Sequence, residues 1–159
     1  MRCGYNEIMK LYHLTLMLLT ILIPAAFADE EQEYNFIRAL FNDKSYTLAI
    51  QGADRFLGEY PVSRYIEQVL FIKGESEFKT KNFNSAVVSF TKFIKLFPSS
   101  DYLDDAILRG GQAQFYLANY DSSISFLKRM PEGSLYHDAM YMVGEAFFRK
   151  GDYESAIRW

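Results

Sequence analysis

The chain has 159 residues, half of them apolar and 23% charged, with a formal net charge of −3. That length and apolar share exclude a disordered tail and allow one ordinary domain or a short repeat array. The mild acidity offers no clustered basic surface for nucleic acid, and a single Cys excludes an internal disulfide framework.

Residues 1–28 read as a secretory signal peptide. Arg2 and Lys10 supply positive charge, Leu14 to Phe27 is an uncharged run of 14 residues, and Ala26-Phe27-Ala28 gives a small-x-small cleavage site before Asp29. The run is shorter than the roughly 18 apolar residues of a membrane span, so a retained anchor helix over residues 11–28 is the weaker alternative. Met9-Lys10 would make a more compact start than Met1. The lone Cys3 lies within this segment, and no Cys follows the expected cleavage site, so a lipid anchor at that point is unsupported.

Residues 29–159 repeat. Four segments share an aromatic, two variable residues, a small residue and a β-branched residue: Tyr46 to Ile50, Phe83 to Val87, Tyr120 to Ile124 and Tyr153 to Ile157. The first two intervals between them are equal, and the third is shorter by about one helical turn. Nine positions before each of the last three aromatics stands a glycine: Gly74, Gly111 and Gly144. The first copy carries Ile37 instead. The expected units run over about 30–61, 66–98, 103–133 and 136–159, the last one incomplete.

Each unit reads as two helices. In the first, Ala49 is the small contact position and Pro61 stops the second helix, because proline cannot continue it. In the second, Val69, Ile72 and Ser76 lie at helical spacing, a polar turn spans Lys79 to Asn82, and Ala86, Val87, Phe90, Phe93, Ile94 and Phe97 form an i, i+3, i+4, i+7 stripe before Pro98. A glycine inside a helix costs about 1 kcal/mol relative to alanine, so Gly74, Gly111 and Gly144 are expected where a side chain would strike the paired helix. Ser63, Ser100 and Asp101 are expected to cap the helices that follow, with Asp104 and Asp105 in the first turn of the third unit. There Pro131 falls four positions early, which predicts a second helix about one turn shorter. The chain stops at Arg158-Trp159, early in the second helix of unit four, which reads as a fragment of a longer array.

Little in the sequence can carry chemistry. The histidines are His13, inside the signal, and His137, which reads as an exposed polar residue near a helix start. No phosphate loop or nucleophile elbow occurs. No metal, cofactor, catalytic residue or small-molecule substrate is expected.

In the second unit the small position, the Ala86-to-Phe90 step and the closing Pro98 resemble the tetratricopeptide repeat. The stretch from Phe97 to Ala106, followed by Gly111 and Phe115, is similar to the bacterial envelope subfamily with 37-residue spacing. That subfamily includes BamD-like barrel-assembly lipoproteins and the YbgF/CpoB-like coordinators associated with Tol–Pal. The resemblance implies an all-α fold, an α-solenoid of helix pairs wound into a right-handed superhelix, whose first helices line a concave face suited to a peptide.

Carrying the family's groove positions across gives Phe71, Glu75, Phe78 and Lys79; then Leu108, Gln112, Phe115 and Tyr116; then Tyr141, Glu145, Phe148 and Arg149. Core packing between units is the alternative reading of Phe78, Phe115 and Phe148. The implied function is a non-catalytic periplasmic or envelope scaffold that binds a protein or peptide partner, in outer-membrane protein assembly or in Tol–Pal and division coordination. Membrane association would come only through partners or an uncleaved signal. The rival reading is a targeting module for a catalytic domain after residue 159.

Overall fold

The computed structural model describes residues 29–159, so the expected export signal lies outside the described residues. Eight helices are present among the described residues: α1 (29–42), α2 (Tyr46–Glu59), α3 (Ile66–Lys79), α4 (Phe83–Leu96), α5 (Leu103–Tyr116), α6 (Tyr120–Leu127), α7 (Tyr136–Lys150) and α8 (Tyr153–Arg158). They form an all-α solenoid in which each helix packs on the next. Among the described residues, no helix is long and apolar enough to cross a membrane.

The stripe on α4 explains the packing. Ala86, Phe90 and Phe93 are fully buried and join α5–α7 residues in one apolar cluster, while Ile37, Ala53, Phe56, Val69 and Ile72 form a smaller one at the first pair. The first helices of successive pairs touch each other, α3 with α5 and α5 with α7, whereas α4 touches neither α2 nor α6. The stack is therefore tighter on the side of the first helices, which makes that side concave.

Gly74 belongs to this packing. A Cβ there would come within 2.9 Å of the Phe90 ring, and one at Gly111 would overlap the side chain of Leu127. Phe90 and Leu127 hold the same place in their units. In the first pair the sizes are exchanged across the interface: Ile37 stands at the glycine position, opposite Ala53, and its Cγ1 fills the space that a Cβ on Gly52 would approach within 3.0 Å. A Cβ at Gly144 would meet the Ala156 carbonyl at 3.6 Å and Trp159 Cβ at 3.7 Å.

The turns inside the pairs share one geometry. Lys44, Lys81 and Ala118 adopt φ of 61°, 62° and 59°, and Gly151 occupies the same place at 87°. The following N–H reaches back to close each helix, Asn82 to the Glu77 carbonyl at 2.8 Å and Asn119 to that of Gln114 at 3.0 Å. This is the left-handed closure that glycine accepts most readily. Lys81→Gly and Ala118→Gly are each expected to raise stability by about 0.5–1 kcal/mol, read as a higher urea midpoint.

Two expectations about the joints change. Ser63 and Ser100 do not cap helices, since α3 and α5 start three positions later, at Ile66 and Leu103. Each hydroxyl accepts the N–H of the tyrosine two positions on, Tyr65 at 2.9 Å and Tyr102 at 3.0 Å, and donates backwards to a glutamate of the preceding unit. Ser63 reaches Glu30 and Ser100 reaches Glu67, both at 2.5 Å. At the third joint Gly133 takes the serine's place, its Cβ direction pointing at Asp104 Oδ2 3.5 Å away. Helix α6 has 8 residues against 14 in α2 and α4, a shortening of more than one turn. The chain leaves the helix at Lys128 and Arg129, before Pro131 is reached.

Candidate functional site: the side lined by the first helices

A recurring aromatic pair marks the end of every first helix. Phe41–Tyr46, Phe78–Phe83, Phe115–Tyr120 and Phe148–Tyr153 meet edge to face with ring centroids 5.6, 5.5, 5.5 and 5.4 Å apart. One ring closes α1, α3, α5 or α7 and the other opens the helix after it. Such pairs add stability beyond the area they bury.

The twelve residues expected to line a groove divide by depth. Leu108 lies in the core, and Phe71 packs against Phe90 and Phe93 beneath the stacked ring of Tyr102. Leu108 is thus removed from the surface, and Phe71 is left half-buried under Tyr102 of the next unit. Glu75 is also buried: Arg109 of α5 covers it with an Nε–Oε1 bond of 3.0 Å. The same guanidinium donates to Gln112 Oε1 at 2.9 Å and lies over the Phe78 ring. Phe78 and Phe115 are half-buried, each held by its edge-to-face partner. Lys79, Tyr116, Tyr141, Phe148 and Arg149 are exposed, and half-buried Glu145 accepts from Arg149 Nε at 2.8 Å.

Buried acid is concentrated on α3. Burial pushes the Glu75 carboxyl above its ordinary value, opposed by the charges of Arg109 and Lys79. Burial also raises Glu77, opposed by the Ser89 hydroxyl, which donates to it at 2.6 Å, and by Lys73. Lys73 ties this helix to α2 through Asp54 at 2.6 Å.

One cleft opens beside these groups. Phe78, Phe83 and Tyr116 form its aromatic wall, with Tyr116 stacked on Phe83 at 4.9 Å, and Lys79 and Lys81 stand at its rim. Rings beside ammonium groups can hold an apolar side chain next to a negative charge. Among the described residues, no three His, Cys, Asp or Glu side chains converge to hold a metal. Sequence reasoning missed Arg109, whose partner Glu75 lies in the preceding unit, and Lys81 and Phe83, which lie in the turn after α3 and at the start of α4 rather than on the first helix. The constant spacing of the paired aromatics was the signal available for Phe83.

A family model described as YfiO, outer membrane lipoprotein, matches residues 15–129, and a tetratricopeptide repeat model matches residues 138–158. No curated protein matches the chain.

Proposed function

This chain belongs to the YfiO family of outer membrane lipoproteins, and on that premise we propose that it is a non-catalytic envelope scaffold that holds a protein partner on its concave side. Residues 1–28 act as its export signal and deliver the repeat domain to the periplasm. The process served is outer-membrane protein assembly, in keeping with the family. The cleft walled by Phe78, Phe83 and Tyr116 and edged by Lys79 and Lys81 carries the reading. Aromatic anchors with a charged rim are the arrangement that concentrates binding energy in protein interfaces. Glu145 and Arg149 extend the same side on α7.

Tyr116→Ala combined with Lys79→Glu is expected to leave the helical circular dichroism unchanged and to cut partner capture from envelope extract by about tenfold. An unchanged set and yield of captured proteins would overturn the assignment.

A further inference from the structure

Between α3 and α5 lies a guanidinium whose hydrogen bonds are not all spent. Arg109 gives its Nε to Glu75 Oε1 at 3.0 Å and Nη1 to Gln112 Oε1 at 2.9 Å. Its Nη2 meets no acceptor among the described residues, and the side chain keeps 31% of its surface exposed. Buried Glu75 holds the group in place. The guanidinium carbon lies 5.3 Å from the centre of the Phe78 ring, and that centre lies 6.0 Å from the ring of Tyr116, which is 59% exposed. Phe78 therefore joins a fixed cation to the aromatic cleft. At the rim of the cleft Lys79 and Lys81 are exposed and carry no ion pair among the described residues. This combination occurs in one unit: Asn35, Ile72 and Met142 stand at the place of Arg109, and Asn42, Tyr116 and Arg149 at that of Lys79.

We propose that this site recognises an internal acidic motif of a partner protein: a carboxylate on Arg109, a large apolar side chain two to four residues away against the cleft rings, and a further carboxylate on Lys79 and Lys81. The inference rests on the cleft being the partner site. Charge selects the acid. Glu75 offsets Arg109, and the two lysines are left uncompensated, while Glu77 is turned to Ser89 and Lys73 and does not share the site. A guanidinium has donors alone, so its free edge calls for an acceptor, and an ionised carboxylate is the strongest one. Spacing sets the motif. Arg109 and Tyr116 stand seven residues apart on α5, which is about 10 Å of helix, and an extended segment covers that in about three residues. Asp105, one turn before Arg109, repels an acid on its own side, so the motif runs from Arg109 toward the turn after α3.

The full-length chain is titrated into a fluorescein-labelled peptide, blocked at both ends, in which glutamate, two serines, phenylalanine and glutamate follow one another, and fluorescence anisotropy is read. Blocking removes the terminal carboxylate, so side chains alone are recognised. Saturable binding is expected. It should weaken by about tenfold when the phenylalanine becomes serine, when the first glutamate becomes glutamine, or when the two serines are extended to six. Arg109→Lys keeps a charge against Glu75 but loses the fork, and should also weaken binding by about tenfold. In Glu75→Gln with Arg109→Gln, glutamine at the peptide's first acid should cost nothing further, a coupling that a merely structural role of Arg109 would not produce. Lys92→Glu, on exposed α4 surface, should change nothing, and circular dichroism confirms that each variant is folded. The proposal is overturned by an absent or unsaturable response, by equal affinity for the serine or glutamine peptides, or by a glutamine effect as large in the double variant as in the parent chain. A silent peptide beside capture lost in Tyr116→Ala with Lys79→Glu sinks this inference and leaves the cleft reading standing; a peptide bound through Arg109 beside unchanged capture does the reverse.

Discussion

Gly111→Ala is expected to destabilise the protein by about 2 kcal/mol, whereas Gly58→Ala, inside helix α2, is expected to stabilise it by up to about 1 kcal/mol. The substitution is the same and the intrinsic helix preference favours alanine at both sites. The sign is decided by what lies opposite. At Gly111 the new methyl enters the volume of Leu127, which is fully buried and has nowhere to withdraw. At Gly58 no heavy atom lies within 4 Å of the added Cβ. Equilibrium urea denaturation of both variants tests this. Equal losses at the two sites would mean that close helix approach is not the reason for glycine.

The second large effect is a rescue. Phe90→Ala alone is expected to cost about 3–5 kcal/mol, because a fully buried ring leaves a cavity. Gly74→Ile alone should be overpacked against that ring, at a cost of about 1–3 kcal/mol or more. Together they recreate the arrangement of the first pair, where Ile37 faces Ala53. The double variant is expected to be less destabilised than the sum of the singles by about 2–3 kcal/mol, measured as a double-mutant cycle in urea. Recovery should be incomplete, since Ser89 stands where the first pair has Gly52, and its hydroxyl is held by Glu77. Additive losses would show that the two units do not solve one packing problem in two ways.

The helices and their pairing were legible because they depend on spacing within a few helical turns. The stripe on α4, the glycines and the prolines all act over that range. Depth was not legible. Phe71 and Tyr141 occupy one position in their units, and Phe71 is half-buried only because Tyr102 of the next unit lies on it. Glu75 was read as a groove residue for the same reason: its cover, Arg109, comes from another unit. The serines misled in a different way. A hydroxyl just before a helix usually caps it, but here the helices start later and the hydroxyl is spent on a neighbouring unit's carboxylate. The early Pro131 pointed to a shorter α6, but the helix stops well before the proline, so its length could not be read from that residue alone.

The serine–glutamate ties also set how the molecule responds to load. Two of the three joints between pairs carry a side-chain latch near the start of the first helices, and the third, at Gly133 and Asp104, does not. The same joint follows the shortest full helix on the outer side, α6. Load is therefore expected to be borne unevenly: the first two joints are tied near the start of the first helices, whereas the third is tied at its other end, where Lys150 of α7 pairs with Asp121 of α6. Bending along the stack is thus expected to open the third joint on its Gly133 side, with the Lys150–Asp121 pair as the hinge.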